Sequence, residues 1–200
     1  MGVYIYRSGD ENVFKVGRST DVDRRVKTHA TSNPERLSRF DVIETEYPSQ
    51  VEKYLKHRLR SNRCTRGEGT EWFEVDPDEL AALIEDARNY ADEVLPMIVE
   101  AKRLSSQACD DRILRPTEDV LETYRSLVDV QERYDTLGFH RDYLKAQVKL
   151  VIGTASGIEQ VADWKTVVSH TFDTDYFKRE RPGLYQAFLR ESRCRKFNLL

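Results

Sequence analysis

The sequence predicts an α+β fold, in which a three-stranded antiparallel sheet with flanking helices forms an N-terminal domain ahead of a mostly helical C-terminal part. The first observation is a hairpin: the segments Gly2 to Arg7 and Asn12 to Arg18 are rich in Val, Tyr and Ile and flank the polar turn Ser8 to Glu11. The second is helical periodicity, which begins at Pro48 and again at Pro77.

The remaining elements of the N-terminal domain follow in order. Ser19 or Thr20 is expected to cap a helix that begins near Asp21 and ends around residues 31–34. Phe40 to Tyr47 alternates broadly between apolar and polar residues until Pro48, which predicts the third strand. Pro48 then opens a helix whose apolar residues lie three and four apart, and a short strand is expected at Trp72 to Val75.

The second half of the chain is predicted to be mostly helical. A long helix from Pro77, capped by Asp76 and bent at Pro96, precedes a polar linker that extends to Pro116. Four further helices are expected at Thr117 to Tyr134, Arg141 to Gly153, Thr174 to Arg181 and Pro182 to Ser192, and Arg195 to Leu200 is expected to pair as a small hairpin-like strand with Val161 to Phe172. We therefore predict a domain at residues 1–76, a connecting helix and linker at 77–116, and an accessory domain at 117–200.

Composition favours a soluble protein of the cytoplasm. Charged residues make up 34% of the chain, no run of eighteen apolar residues occurs, and the N-terminus lacks the pattern of a signal peptide. The three cysteines, Cys64, Cys109 and Cys194, are odd in number and widely spaced. Neither a disulfide framework nor a structural zinc site is therefore expected.

Charge is distributed unevenly along the chain. Residues 1–75 hold 14 Lys and Arg against 12 Asp and Glu, whereas residues 76–200 hold 18 against 23. Lys53 to Arg66 contains no acid, so this stretch, with Arg18, is a candidate phosphate-binding surface. A solvated basic helix face is the alternative interpretation. The candidate DNA-binding residues are Arg18, Lys53, Lys56, Arg58, Arg60 and Arg63.

The first 75 residues also hold side chains suited to phosphodiester hydrolysis. That reaction needs a base for water, a cation for the non-bridging oxygens, and an acid or metal ion for the leaving oxygen. Tyr4 lies across the hairpin from the strand that carries Lys15, and a four-residue spacing places Arg25 and His29 on one helix face. Glu52 lies at the start of the next helix. Each residue also has a structural interpretation, as strand core, an exposed helix pair or a helix N-terminal acid.

The order of these residues resembles that of the GIY-YIG nuclease superfamily. Gly2-Val3-Tyr4 resembles the first signature, Lys15-Val16-Gly17-Arg18-Ser19 stands in the place of the second, and Asp21 to His29 is similar to the first helix of the family. Glu52 falls at the position of the metal-binding carboxylate. The block after Lys15, together with Glu52 and Glu71-Trp72-Phe73, most resembles the phage-associated T5orf172 branch.

The resemblance implies a role for each matched residue. Tyr4 would position or deprotonate the attacking water, Arg25 would stabilise charge on the phosphoryl oxygens, and His29 would take or relay a proton. Glu52 would hold one divalent ion, Mg²⁺ or Mn²⁺, because Mg²⁺ tolerates a single carboxylate ligand with several waters. The catalytic set is therefore Tyr4, Lys15, Arg25, His29 and Glu52.

Two departures from the family pattern bear on activity. Lys15 replaces the second tyrosine, and an ammonium group beside Tyr4 would favour the deprotonated phenol, so Lys15 is expected to assist. The asparagine that many members carry near the end of the domain has no clear match after Trp72.

The end of the chain resembles the C-terminal tail of YqaJ-type phage recombinase exonucleases. The resemblance rests on Trp164-Lys165, Phe172-Asp173, Phe177-Lys178, Pro182-Gly183-Leu184-Tyr185 and Arg195-Lys196-Phe197, and implies an accessory module without an activity of its own. Such a module would dock DNA or a phage or host replication or recombination protein. An ordinary small α+β domain without a partner is the alternative.

These observations predict a metal-dependent DNA endonuclease, associated with a phage or prophage and acting on double-stranded DNA. The alternative is a catalytically inactive DNA-binding or protein-interaction module on the same scaffold. A nuclease for branched DNA, single-stranded DNA or RNA is a third option that the sequence does not separate from the first.

Overall fold

A computed structural model describes residues 1–9, 11–22, 24, 37–64, 71–110 and 112–199. The chain divides into two compact units, Met1–Ser106 and Gln107–Leu200. The first unit contains the strands β1 (Gly2–Ser8), β2 (Val13–Ser19), β3 (Leu37–Glu44) and β4 (Trp72–Glu74), and the helices α1 (Pro48–Arg58), α2 (Pro77–Asn89) and α3 (Leu95–Ser105). The predicted α+β class is confirmed.

The sheet has four antiparallel strands in the order β3-β1-β2-β4, rather than the predicted three. The fourth strand is Trp72–Glu74, which is predicted as a short strand at Trp72 to Val75 but is not counted among the three strands of the predicted sheet. This strand pairs with Val13, Phe14 and Lys15 of β2 and thereby closes the free edge of the hairpin. The third strand is confirmed, although it begins at Leu37 and ends at Glu44 instead of extending to Tyr47.

Strand alternation gives the sheet two distinct faces. Val3, Ile5, Phe14 and Val16 point to the face on which α1 and α2 pack, and they form the hydrophobic core together with Phe73 and the apolar stripes of those helices. On α1 the core residues are Val51 and Leu55; on α2 they are Leu80, Leu83, Ile84 and Ala87. The helix after Pro77, which we expected to act as a connector, therefore contributes directly to this core.

The helix predicted from Pro77 is confirmed, and so is its cap. The Asp76 carboxylate accepts hydrogen bonds from the backbone N–H groups of Asp78 and Glu79. A π-helical turn at Tyr90–Val94 joins α2 to α3 just before Pro96, whose missing N–H interrupts the regular α-helical ladder. The Tyr90 ring stacks on Tyr54 at 4.6 Å between centroids, which holds this turn against α1.

The second unit contains α4 (Glu118–Ile152), β5 (Gly157–Ile158), β6 (Ala162–Asp163), α5 (Thr174–Glu180) and α6 (Pro182–Phe188). The two helices predicted between Thr117 and Gly153 are wrong, because α4 is one helix of 35 residues that continues through Gly138. The predicted small terminal pairing is confirmed as a two-stranded sheet, but the strand predicted at Arg195 to Leu200 is wrong. The small sheet joins β5 to β6, and the described residues 195–199 form no strand. The last two helices are confirmed, with shorter C-terminal ends.

None of the helices in the described part of the chain is both long enough and apolar enough to cross a membrane.

Candidate functional site

The tyrosines of β1 lie on the face of the sheet opposite the core. Tyr4 pairs with Gly17 and Tyr6 pairs with Lys15 across the hairpin, so these four residues share one face. The two phenol rings stack with centroids 4.8 Å apart, and both side chains are almost completely buried. The Tyr6 hydroxyl donates a hydrogen bond to the Val22 carbonyl oxygen at 3.4 Å. Tyr4 is therefore held in a fixed orientation over the hairpin.

Gly17 provides the space that the Tyr4 ring occupies. A Cβ atom built at this position would lie 2.6 Å from Cζ of Tyr4, which is closer than real Cβ contacts. The glycine of the second predicted signature therefore has a steric role: it allows the phenol to lie flat on β2.

Lys15 projects from the tyrosine face toward the edge strand. Its Nζ atom lies 3.8 Å from Glu71 Oε2 and 5.5 Å from the centre of the Trp72 ring. In the strand register Lys15 stands opposite Tyr6, and Gly17 stands opposite Tyr4. Lys15 therefore lies on the same face as Tyr4, directly across from its neighbour Tyr6.

Glu52 lies in the first turns of α1, and its carboxylate stands between two cationic side chains. Its Oε2 atom lies 3.0 Å from Nε of Arg18, at the end of β2, and its Oε1 atom accepts a hydrogen bond from Lys56 at 2.8 Å. Only 15% of the Glu52 side chain is exposed. Two residues that we expected to bind DNA, Arg18 and Lys56, therefore contact the candidate metal ligand.

Glu71 links the two halves of this arrangement. Its Oε1 atom accepts a hydrogen bond from Lys56 at 3.1 Å, while its Oε2 atom faces Lys15. The Glu71 backbone carbonyl also accepts a hydrogen bond from the N–H group of Val16, which fixes it beside β2. A continuous series of charged contacts thus runs through five residues, which we call the charged chain: Lys15, Glu71, Lys56, Glu52 and Arg18.

The charged chain changes the ionisation of Lys56. Burial, the largest single influence, lowers the pKa of this lysine, but the hydrogen bonds and charges of Glu52 and Glu71 together raise that pKa above its usual value. Lys56 is therefore a firmly charged ammonium group between two carboxylates. It supplies the positive charge that offsets their mutual repulsion.

The other predicted basic residues have different surroundings. Arg58 donates a hydrogen bond to the Tyr54 hydroxyl at 2.9 Å and lies 3.6 Å from Asp86, which ties it to α2. Lys53, Arg60 and Arg63 are exposed. These three cations, together with Arg58, form the exposed part of the predicted basic surface that lies outside the charged chain.

Arg25 and His29 lie outside the described residues, so their predicted roles remain predictions. Nearby, Val22 and Arg24 are helical, and the Asp21 carboxylate accepts a hydrogen bond from the Arg24 N–H group. The cap that we expected from Ser19 or Thr20 is thus supplied by Asp21, while the Ser19 hydroxyl donates to the Asp21 carbonyl.

Sequence reasoning did not include Glu71 in the site. The signal was present in Glu71-Trp72-Phe73, which was matched as a motif without a chemical role. The pairing of β4 with β2 gives the residue that role, because it brings a carboxylate from 56 positions along the chain to Lys15.

The donor chemistry of Glu52 suits a hard divalent cation. Its carboxylate offers oxygen ligands, and a single carboxylate with several waters is sufficient for Mg²⁺. Within the described ranges, no group of three or more His, Cys, Asp or Glu side chains is arranged to hold a metal ion. Both Glu52 oxygens also contact cations, so an incoming ion would have to replace Arg18 or Lys56 as a partner.

The family model of the T5orf172 domain matches residues 1–88. This segment covers the entire four-stranded sheet, α1 and most of α2, and it includes every residue of the charged chain. No curated protein and no solved structure matches the chain. The N-terminal unit is therefore similar to a nuclease-associated domain, and the resemblance of the C-terminal segment to an exonuclease tail stays a prediction.

Proposed function

We propose that the N-terminal unit is a metal-dependent endonuclease that hydrolyses phosphodiester bonds in double-stranded DNA, in a phage or prophage setting. The observation that carries the proposal is the position of Glu52 within the segment that matches the T5orf172 domain. This carboxylate is largely buried, stands at the start of α1, and contacts cations from β2 and from its own helix. Buried carboxylates of this kind are costly unless they are paired, and they are common at catalytic sites.

The tyrosine face would supply the groups that act on water. In this proposal Tyr4, as the phenolate, orients the attacking water, takes its proton and becomes a neutral phenol. The buried packing against Tyr6 and Gly17 limits the motion of the ring. Lys15, which is 14% exposed, adds positive charge to the same face. Arg25 would contact the phosphoryl oxygens and His29 would relay the proton.

Glu52 would hold one Mg²⁺ or Mn²⁺. When bound, the ion would polarise the phosphate and stabilise charge on the leaving oxygen. Arg18 and Lys56 would then be released from Glu52 toward phosphate oxygens, which reconciles their ion pairs with the predicted contacts to DNA. Lys53, Arg60 and Arg63 would hold the DNA backbone from the exposed side of the same region.

A second candidate function follows from the same contacts. Because Arg18 and Lys56 occupy both oxygens of Glu52, the scaffold suits a catalytically inactive module that binds DNA or a protein. The replacement of the second tyrosine by Lys15 also favours this alternative.

The test is nicking of supercoiled plasmid by the full chain with Mn²⁺ or Mg²⁺. We expect Glu52→Ala and Arg25→Ala to reduce nicking by about two to three orders of magnitude, the usual effect of losing one group that stabilises the transition state. The matched control is Glu46→Ala, which removes an exposed carboxylate just before α1 and should leave nicking unchanged. Unchanged cleavage by both site variants would contradict the proposal.

Two further measurements separate the alternatives. DNA binding without cleavage under any divalent ion would favour the inactive module. A panel of linear, branched and single-stranded DNA together with RNA would identify the substrate class, because each class gives a different pattern of products.

A further inference from the structure

The longest helix of the protein exposes most of its apolar side chains. All 35 residues of α4 are described, and Ile152 is the one that is buried. Twelve of its large apolar side chains are between 36% and 81% exposed, and Leu121 and Val128 are half-buried. A single helix in water is only marginally stable, and extended exposed apolar surfaces mark sites of association.

These apolar residues repeat with a heptad spacing. Positions three and four apart run along α4 for five heptads, and eight of the ten positions are apolar, with Thr123 and Arg141 as the polar members. We call this set the heptad stripe: Val120, Thr123, Leu127, Val130, Tyr134, Leu137, Arg141, Leu144, Val148 and Val151. Every member is exposed. A spacing of 3.5 residues sustained over this length is typical of a left-handed coiled coil.

The two halves of α4 carry opposite charge. Residues 118–135 contain six acidic and two basic residues, whereas residues 136–152 contain one acidic and three basic residues. A parallel pair of such helices would place like-charged halves side by side, and an antiparallel pair would place each acidic half beside a basic half. Charge complementarity therefore favours an antiparallel arrangement with a second copy of the same helix.

We propose that α4 forms an antiparallel two-stranded coiled coil with α4 of a second copy of this chain. In the register that centres the stripe on a two-fold axis, Val120 faces Val151, Leu127 faces Leu144, and Tyr134 faces Leu137. Each of these facing pairs occurs twice in the dimer, once on each side of the axis, as a two-fold interface requires. The same register sets Arg141 opposite Val130, whereas a parallel dimer would set the two Arg141 side chains against each other.

Two grooves within the second unit lie along the stripe and leave room for the partner helix. One, of about 530 Å³, lies between Val120, Leu127 and the terminal segment that includes Phe197. The other, of about 720 Å³, lies between Leu144, Val148 and the small hairpin that ends at Trp164. The chain's own segments thus border the stripe without covering it, and the helix, about 50 Å long, offers a continuous contact surface.

The first test is the mass of the full chain by sedimentation velocity and by light scattering over a range of concentrations. We expect about twice the monomer mass of 23.4 kDa. Leu137→Asp should shift the dissociation constant by about 100-fold or more, because it buries two charges at the dyad. The matched control is Phe139→Asp, which changes a 77% exposed residue of the same helix outside the stripe and should remain dimeric.

The second test is disulfide cross-linking in a background with Cys64, Cys109 and Cys194 replaced by Ser. Leu127→Cys combined with Leu144→Cys should give cross-linked dimers under mild oxidation, whereas Leu127→Cys alone should not. In the antiparallel register the two copies of position 127 would be separated by about 25 Å along the helix axis.

Three results would overturn the inference. The first is a wild-type chain that is a monomer at every concentration, which would mean that the grooves close within one chain or receive a different molecule. The second is a Phe139→Asp variant that dissociates as strongly as Leu137→Asp, which would mean that the heptad stripe is not the contact surface. The third is efficient cross-linking by Leu127→Cys alone, which would indicate a parallel pair. Far-UV circular dichroism of each variant confirms that α4 remains helical.

Discussion

Lys56 shows how one side chain can serve two carboxylates. Its ammonium group hydrogen-bonds Glu52 at 2.8 Å and Glu71 at 3.1 Å, so one positive charge stands between two carboxyl groups. One comes from the same helix four residues earlier, and the other comes from the residue that leads into β4. The lysine therefore joins α1 to the edge of the sheet in addition to neutralising the site.

Replacement of Lys56 by Met should lower stability in a pH-dependent manner. Met keeps much of the apolar stem but leaves the two carboxylates without their shared cation, so we expect the free energy of unfolding to fall by about 1–2 kcal/mol at pH 7. The pKa of Lys56 is raised in the folded state. Its contribution is therefore complete below the unfolded pKa of about 10.4 and is lost as the pH rises through the higher folded value.

Urea unfolding between pH 7 and pH 11 measures this effect. The difference between wild type and Lys56→Met should stay constant up to about pH 10 and shrink above it. Lys53→Met, an exposed lysine on the same helix, is the control and should differ little from wild type. A difference that persists unchanged at pH 11 would show that the charge of Lys56 is not the cause.

The substitution Gly17→Ala tests whether the Tyr4 ring needs the close approach to the β2 backbone that a glycine allows. In Gly17→Ala the new methyl group would collide with the phenol, and Tyr4 is only 2% exposed, so the ring has little room to move. We expect a loss of about 1–3 kcal/mol in the free energy of unfolding, measured in urea. Gly138→Ala is the control: nothing lies within 4 Å of the added methyl, and alanine favours helix. Equal stability of Gly17→Ala and wild type would contradict this assignment.

At the scale of elements, local patterns predicted the structure well. The hairpin follows from strand residues on both sides of a polar turn, α1 from Pro48 and its apolar spacing, and α2 from the Asp76 cap. Each of these signals acts over a few residues, between groups that contact one another in the folded chain.

The elements that were missed depend on competition between local and distant contacts. The two helices predicted on either side of residues 135–140 are one, because the cost of Gly138 in a helix is only about 1 kcal/mol relative to alanine and long helical segments extend on both sides of it. The sheet order was also inaccessible, because β4 pairs with β2 across 52 intervening residues that include α1. No periodicity in the sequence reports such pairing.

In the candidate site, too, the sequence predicted local features, and contacts between distant residues were not predicted. Tyr4, Lys15 and Glu52 could be selected from the sequence because each stands at a fixed place in an ordered motif. The contacts among them could not be predicted, since Glu71 joins Lys15 to Lys56 only after β4 has docked on β2. A motif therefore identified the candidate residues, and tertiary structure determined which of them are in contact.

At the scale of the whole molecule, apolar burial is concentrated in the first unit. Its core cluster extends from Val3 to Leu95 and includes residues from α1, α2 and α3 and from each strand of the four-stranded sheet. The second unit, in contrast, exposes large apolar residues along α4 and in the segments that follow it. The first unit thus has the core of an independent domain, whereas we infer that the second depends on association.

A fragment of residues 1–106 should therefore fold on its own. The residues of its core cluster lie before Ser106, and Asp41 and Arg88, which form an ion pair at 2.7 Å between β3 and α2, are both retained. We expect cooperative unfolding in urea, with a dependence of the unfolding free energy on urea concentration that is typical of about 100 residues. The fragment should have the mass of a monomer, because it lacks the heptad stripe. The comparison is the same fragment with Phe73→Ala, which should lose about 3–5 kcal/mol because Phe73 is fully buried where β4 meets the core. If the 1–106 fragment instead unfolds gradually or forms dimers, the core does not suffice for folding or the dimer contact lies outside α4.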